Sequence, residues 1–560
     1  MVKKMTNYRK QQLYFIIVFI IISFLMVLPL WVTHRLVIFS DFSFHASRVE
    51  EIARNLSNGQ IFTFIATKTF HHTGVASFLF YPSIFLYPWA VFSLFLNPIN
   101  SFYLWYLLMT ITTFCVAYFC MLSFSNNQMQ SFIFSLIYTV VPYRLYLGTS
   151  VFGEFIAFSF LPIVFLGIYK IFWGGEQPLW WSTLSVGMAL VGYAHILSVI
   201  LCCEFLIIII LYYLFTQEIS KSRLIGFFKS IGLTLILVSF ELIPFIQSFR
   251  KIYSPNQGIG IKTSFTELIT SSLQNVESNS AIGFILLLTL FVGLVLITDK
   301  QYKFIYFLGL GSCILATSLF PWSLFDKTPL AVIQLTFRYL AYASLFLAIV
   351  SSKILVNVLN GKRQFLTVIG ISVFTVLFGI SALGGKLHTL KEYNTQNMIT
   401  KTNEYPIEQL PLITVVDKNN YANMFNYSVV FGENDYYPLK AVGAENKNNK
   451  RLKSIENTVV FVNGKRVKNL PKYSSNLISY RMSLENNAQV NLPTLCYRGT
   501  YVKVNGKTES YKSSSRGTVL IGLKKGVNKV EIGYQPWKIY YVALLASIIG
   551  WSLLIYLRIK

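Results

Sequence analysis

Ser40-Asp41-Phe42-Ser43-Phe44-His45-Ala46-Ser47-Arg48-Val49-Glu50-Glu51-Ile52-Ala53-Arg54-Asn55-Leu56 follows directly on the first long apolar run of the chain. It is the first place where charge is both dense and periodic. On a helix, Asp41, His45 and Arg48 fall at i, i+4 and i+7 and share one stripe. Val49 and Ile52 continue an apolar side, and Glu50, Glu51 and Arg54 read as a solvated face. An acid, an imidazole and a guanidinium then point the same way at the mouth of a membrane helix.

The surrounding sequence supplies the membrane. The 560 residues are 54% hydrophobic and only 13% charged, where a soluble protein carries about 25% charged residues. Apolar runs of about 20 residues recur, the length that crosses a hydrocarbon core of roughly 30 Å. The expected spans are 13–33, 101–122, 130–147, 153–173, 180–196, 198–216, 227–248, 280–298, 303–320, 330–352, 364–385 and 538–557. This predicts an α-helical polytopic membrane protein of about 12 transmembrane helices.

The basic N-terminus reads as the cytoplasmic flank of an uncleaved first span. Lys221, Arg223, Lys229, Lys300, Lys303, Lys353, Lys362, Arg363, Arg558 and Lys560 then all fall on the cytoplasmic side, provided 78–96 does not cross. Pro82, Pro88 and a run of aromatics make 78–96 an interfacial or re-entrant segment. Residues 34–100 become one long external loop, and both termini are cytoplasmic.

Residues 386–537 read as a separate extracytoplasmic domain. Short strand-like runs such as Thr458–Val462, Tyr501–Val504, Thr518–Leu523 and Lys529–Tyr534 surround Asn463-Gly464 and Asn505-Gly506, which are hairpin turns. The expectation is a small β-sandwich. The division is therefore 1–385 polytopic, 386–537 β-rich, and 538–560 a closing transmembrane helix. About twice as many basic as acidic residues in the β-rich part suit an anionic lipid surface or polymer.

A net charge of +25 in such a chain reads as topology and attraction to anionic lipid, with no nucleic-acid motif present. The six cysteines are Cys115, Cys120, Cys202, Cys203, Cys313 and Cys496, and only Cys496 lies in a polar region, so neither a disulfide framework nor a zinc site is expected. The absence of a Gly-rich phosphate loop or Walker sequence disfavours nucleotide-driven transport. No cofactor is expected, and metal dependence is left open.

Asp41 is either a helix N-cap or a general base at a partly dehydrated mouth. His45 and Arg48 are the polar face of a surface helix or the holders of an anion, Arg48 bidentately. Glu154, at the outer end of the 153–173 run, is a first-turn dipole partner or a site carboxylate, with Arg144 as a possible ion-pair partner. His195 caps a span end. Glu204 and Glu241 read as paired structural groups. Gln334 and Arg338, four apart, share one helix face. An arginine there with no acid in its own helix snorkels or binds a phosphate.

The stretch 40–53 resembles the first external loop of the bacterial YfhO-like, or "6-pyruvoyl-tetrahydropterin-synthase-related", membrane proteins. That name is historical, and no residue suggests pterin chemistry. Further matches follow in order: Phe80-Tyr81-Pro82, Pro142-Tyr143-Arg144, Gly153-Glu154-Phe155, Tyr193-Ala194-His195, Leu319-Phe320-Pro321-Trp322, Gln334-Leu335-Thr336-Phe337-Arg338-Tyr339, Asp435-Tyr436-Tyr437-Pro438 and Tyr497-Arg498-Gly499-Thr500. The resemblance implies membership of the glycosyltransferase C superfamily, whose members take a sugar from a polyprenyl phosphate. It places the catalytic acid of the first external loop on Asp41. The superfamily often pairs that acid with a second beside it, and here the neighbour is Phe42.

The resulting expectation is an inverting transferase acting on an undecaprenyl-phosphate sugar in the outer leaflet. Its acceptor is a teichoic acid, a wall polysaccharide or a lipid-linked glycan. Asp41 is the base, and His45, Arg48, Glu154, His195, Gln334 and Arg338 are donor- or phosphate-binding candidates. The alternatives are a lipid or glycan translocase, suggested by Glu204 and Glu241, and a non-catalytic envelope polymer-binding protein built on the β-domain. Against the translocase, the sequence shows no inverted repeat.

Overall fold

A computed structural model of the chain describes residues 2–175, 177, 179–248, 259–260, 262–358, 364–392, 413–426, 432–442 and 449–559. Lys362 and Arg363, which entered the topology argument, lie outside these residues. So do residues 249–258 of the 249–279 loop. The chain divides into two compact units: Met1–Val37 with Tyr103–Thr234 and Asn256–Tyr393, and Ile38–Phe102 with Leu235–Pro255 and Asn394–Lys560.

Unit one is helical. Seven described helices of the whole chain are long and apolar enough to cross a membrane, and nine segments are if each sharply bent pair counts as one. One pair is Gln128–Thr139 and Pro142–Ser150, bent by 48°. Pro142 cannot donate to the preceding turn and starts the second helix instead. The other is Leu366–Ala382 and Gly384–Glu392, bent by 51°.

Three expected spans come out short. The 180–196 run forms only Ser182–Gly192, 11 residues, a rise of about 17 Å at 1.5 Å per residue. The 280–298 run forms Phe284–Leu296, 13 residues, and 303–320 forms Lys300–Ala316, 17 residues. The breaks have local causes. His195 is extended (φ −158) between Gly192 and the helix Ile196–Thr216, and Gly283 sits at φ +80 before its helix. Hydropathy reads composition and not these backbone breaks.

The 330–352 run differs too. Gln334 has φ +57, so Pro329–Ile333 and Thr336–Tyr339 are separate 3₁₀ turns, and the α-helix begins only at Leu340. Gln334 and Arg338 therefore do not share one α-helical face.

Helix Phe152–Phe172 packs closely on Ser182–Gly192 through small residues. A Cβ on Gly187 would stand 2.6 Å from the Val164 backbone nitrogen. Gly187→Val forces these backbones apart, with an expected cost of about 2 kcal/mol and a lowered melting temperature of the detergent-solubilised protein.

Unit two contains a β-sandwich. One antiparallel sheet has the order Lys512–Ser513, Thr518–Leu523, Ala488–Leu495, Val460–Val462, Lys465–Val467, and the other Lys472–Ser474, Leu477–Leu484, Gly526–Tyr534, Thr500–Val504, Lys507–Thr508. Alternate residues, including Ile478, Tyr480, Val490, Leu492, Val502, Val519, Val530 and Ile532, meet in one buried core. Both expected hairpins form. Asn463 and Gly464 have φ of 48° and 79°, and Asn505 and Gly506 49° and 84°, the pair of positive values that a type I′ turn requires.

The same unit holds helix Phe42–Ser57, and helix Lys538–Ile559 belongs to it in sequence. The 78–96 segment forms two short 3₁₀ turns and helix Tyr87–Ser93, 7 residues long. That helix is far too short to span, as the two prolines suggested.

Candidate functional site

Helix Phe42–Ser57 begins where the sequence places it, with Asp41 at the N-cap. The Asp41 carbonyl accepts from His45 N–H at 3.1 Å. Its side chain makes no capping hydrogen bond, and the Ser40 hydroxyl lies 3.5 Å from its Oδ1. Ser40 itself is held at φ 49, a left-handed conformation that costs a non-glycine residue about 1–2 kcal/mol.

His45 and Arg48 share the expected stripe, with Arg48 Nη1 3.5 Å from His45 Nδ1. They are not a surface face, however: both are buried. Arg48 Nη2 donates to the carbonyls of Tyr81 (2.6 Å) and Pro82 (3.0 Å). Its guanidinium also lies 5.0–5.5 Å from the ring centres of Phe44, Phe78 and Tyr81. Burial pulls Arg48 down to about 10. The arginine fastens the 78–82 segment to the helix.

Glu51 overturns the solvated-face reading. It is fully buried and its Oε1 accepts from Lys68 N–H (2.6 Å), Thr69 N–H (2.6 Å) and the Thr69 hydroxyl (3.1 Å). Glu50 keeps a solvated partner, Lys68 at 2.7 Å. Glu51→Ala strands two backbone donors, so we expect a loss of about 3 kcal/mol. Trypsin cleavage after Lys68 should quicken.

Asp435 comes to the same place from far along the chain. It lies in the short turn Asn434–Tyr436, and the Tyr436 ring stacks on Phe44 at 5.3 Å and 16°. The Asp435 side chain is exposed; partial desolvation by its neighbours, and then the charge of Asp41, raise its proton affinity. No spacing in the sequence links positions 41 and 435.

A second group missed by the sequence reading lies beside that turn. His71 Nδ1 stands 3.0 Å from Glu433 Oε2, and the Tyr437 hydroxyl donates to Glu433 Oε1 at 2.6 Å. Burial pushes Glu456 up to about 7 against the pull of His71. Phe70, His71 and His72 all have positive φ (51°, 55°, 59°), a run of strained backbone that persists only where the surroundings hold it.

In unit one the structure brings Glu154, His195 and Arg338 together. Tyr143 O–H donates to Glu154 Oε1 at 2.5 Å, and Arg338 Nε lies 3.8 Å from Glu154 Oε2. Arg338 Nη1 donates to the Ile333 carbonyl at 2.5 Å. The charge of Arg338 also reaches His195, whose Nδ1 is 2.9 Å from the Ser198 hydroxyl.

The acid that Arg338 lacks in its own helix is thus supplied by another helix. Arg144, the expected partner of Glu154, instead donates to Thr139 O (3.3 Å) and Thr113 Oγ1 (3.0 Å) and lies over the Phe155 ring. The Gln334 carbonyl accepts from Gly260 N–H at 2.7 Å. Glu204 accepts from the Tyr339 hydroxyl at 2.8 Å and so has the partner expected of it. Among the described residues, no three His, Cys, Asp or Glu side chains gather as metal ligands would.

The sequence matches the family described as "6-pyruvoyl-tetrahydropterin synthase related domain; membrane protein" over residues 78–383. No curated protein matches. Among solved structures, the fold is similar to that of the arabinofuranosyltransferase AftD from mycobacteria, with a TM-score of 0.50 and 11% identity. The alignment covers 94% of this chain but only 40% of the mycobacterial one. At that identity the likeness is one of fold alone, and it accords with the expected helical membrane architecture with an added β-rich region.

Proposed function

This chain belongs to the 6-pyruvoyl-tetrahydropterin synthase related family of membrane proteins, and from that premise we propose that it is a membrane glycosyltransferase. It transfers a sugar from a polyprenyl-phosphate donor to an extracytoplasmic glycan acceptor, with both termini cytoplasmic. The observation that carries the reading is a fold shared over 94% of the chain with a solved arabinofuranosyltransferase. Fold alone does not fix chemistry, so the residues must supply it.

Asp41 acts as general base. It takes the proton of an acceptor hydroxyl as that oxygen bonds to the anomeric carbon. The bond from that carbon to the phosphate oxygen breaks on the opposite face, the phosphate leaves with the electron pair, and the configuration inverts. Arg48, committed to two carbonyls, and Arg338, matched by Glu154, act as positioning groups: they hold the loop and the helices about them. The basic β-sandwich draws an anionic acceptor by charge.

The test uses the full chain purified into lipid nanodiscs with short-chain polyprenyl-phosphate sugars, arabinofuranose among them, and an oligosaccharide acceptor. Product formed without any transmembrane gradient supports the transferase. Movement of the lipid-linked sugar across a liposome bilayer with no product would instead establish the translocase.

A further inference from the structure

We propose that the helical unit binds one acyl chain of an anionic membrane phospholipid, with the lipid phosphate at Lys300 and the chain in a cavity beside it. The cavity has a volume of about 440 Å³, and every residue that lines it belongs to unit one. Protein interiors hold few voids larger than a water molecule. A volume of this size falls instead among those of small-molecule sites, roughly 300–1,000 Å³. The site is independent of the glycosyltransferase reading and of the residues that carry it.

Its place is set by how far along each helix the lining begins. Glu154 lies in the first turn of helix Phe152–Phe172, but that helix lines the cavity only from Pro162 onward. The eight residues between them make about 12 Å of helix. Helix Ile196–Thr216 follows His195 and contributes Ile209, Tyr212 and Thr216, all from its far half. The cavity is therefore separate from the Glu154–Arg338 pair and from His195.

The inner walls suit a hydrocarbon chain. Phe165 meets Phe346 edge-on at 4.9 Å, and Leu308 and Leu345 line the same space. Such apolar space stays dry. Helices Ile196–Thr216 and Lys300–Ala316 form one wall, joined where the Tyr212 and Phe304 rings stack at 3.7 Å and 9°. These two helices also expose Leu211, Phe215 and Phe307. A contiguous membrane, and not water, is the natural cover for large apolar groups on such helices, so a ligand arrives at this wall from the bilayer.

At one end the lining becomes polar, with Thr216, Gln217, Lys300 and Gln301, and the first three are exposed. Asp299, the carboxylate next to Lys300, is committed to the helix start: it accepts from Gln301 N–H at 2.8 Å and Tyr302 N–H at 3.3 Å. A second ammonium, Lys353 Nζ, lies 5.4 Å from the centre of the Tyr302 ring. Glu218 adjoins the rim beyond Gln217. A basic rim over an apolar slot between helices takes a lipid phosphate above its chain. The slot is sized for part of one acyl chain, and a polyprenyl chain, far bulkier, would leave most of itself outside.

The experiment uses the full chain in nanodiscs of phosphatidylcholine with a minor fraction of phosphatidylglycerol, and counts retained lipids by native mass spectrometry. Wild type should retain one phosphatidylglycerol. Ile349→Trp, which fills the slot from its lining, should lose it. Lys300→Gln should keep a lipid but prefer phosphatidylglycerol over phosphatidylcholine roughly five-fold less. Equal retention of the two lipids by wild type overturns the assigned headgroup, and retention unchanged in both variants overturns the site. Displacement of phosphatidylglycerol by an equal amount of added polyprenyl phosphate overturns the assigned occupant. A second measurement stands if Ile349→Trp fails to fold, because Trp173 lines the cavity. Phosphatidylglycerol with brominated acyl chains should quench the part of the fluorescence that Trp173→Phe removes, more than brominated phosphatidylcholine does. Equal quenching by the two overturns the proposal.

Discussion

Asp41→Asn lowers transfer to the acceptor about a thousand-fold, the usual range for removing a general base being roughly 10²–10⁴, and leaves protein abundance and melting temperature unchanged. The separation of the two effects follows from the geometry. Asparagine is as good an N-cap as aspartate, and the Asp41 side chain makes no capping hydrogen bond to lose. The carbonyl that accepts from His45 is main chain and survives the change. What asparagine cannot do is accept a proton. KM for the donor should change little, because the base acts on the acceptor, and the loss should fall on kcat. Glu50→Gln is the matched control. Its carboxylate binds the exposed Lys68, a surface pair worth well under about 1 kcal/mol, and its rate should stay within two-fold of wild type. Retained transfer in Asp41→Asn would move the base elsewhere.

The legible part of this molecule was the part set by local chemistry. The helix after residue 41 could be read from its period, and the two hairpins from Asn-Gly pairs that tolerate positive φ. That 78–96 forms no single long helix was readable from its prolines. Burial was not readable. Glu51 looks like surface because its neighbours Glu50 and Arg54 are charged, yet the backbone N–H groups of Lys68 and Thr69 bury it. Helix ends inside apolar runs were equally hidden, since Gln334 carries no sequence mark of its left-handed backbone. Pairings across long separations, Glu154 with Arg338 and His71 with Glu433, needed the fold. Composition said that a buried charge requires a partner but not which one, and Arg144 was the nearer candidate in sequence.

Arg338→Met destabilises the protein by about 3–5 kcal/mol, because it leaves the Glu154 carboxylate buried without its counter-charge. Glu154 and Arg338 are only 3% and 8% exposed, so water cannot replace the lost partner. Glu154→Gln should cost a similar amount for the opposite reason, leaving the guanidinium with the Ile333 carbonyl alone on that side. The double variant Glu154→Gln/Arg338→Met removes both charges. It keeps an amide oxygen to accept from Tyr143 and a side chain of similar length along the arginine's path. Its melting temperature should return most of the way to wild type, since an apolar replacement of a whole buried pair is often neutral. The informative quantity is transfer activity in that double variant. If the pair serves only to hold its helices, activity recovers with stability, and the coupling between the two substitutions is large in both measurements. A double variant that melts like wild type but transfers a hundred-fold more slowly, with a raised KM for the lipid-linked donor, would mean that Arg338 exchanges Glu154 for the donor's phosphate during turnover. The positioning role assigned to it would then be wrong.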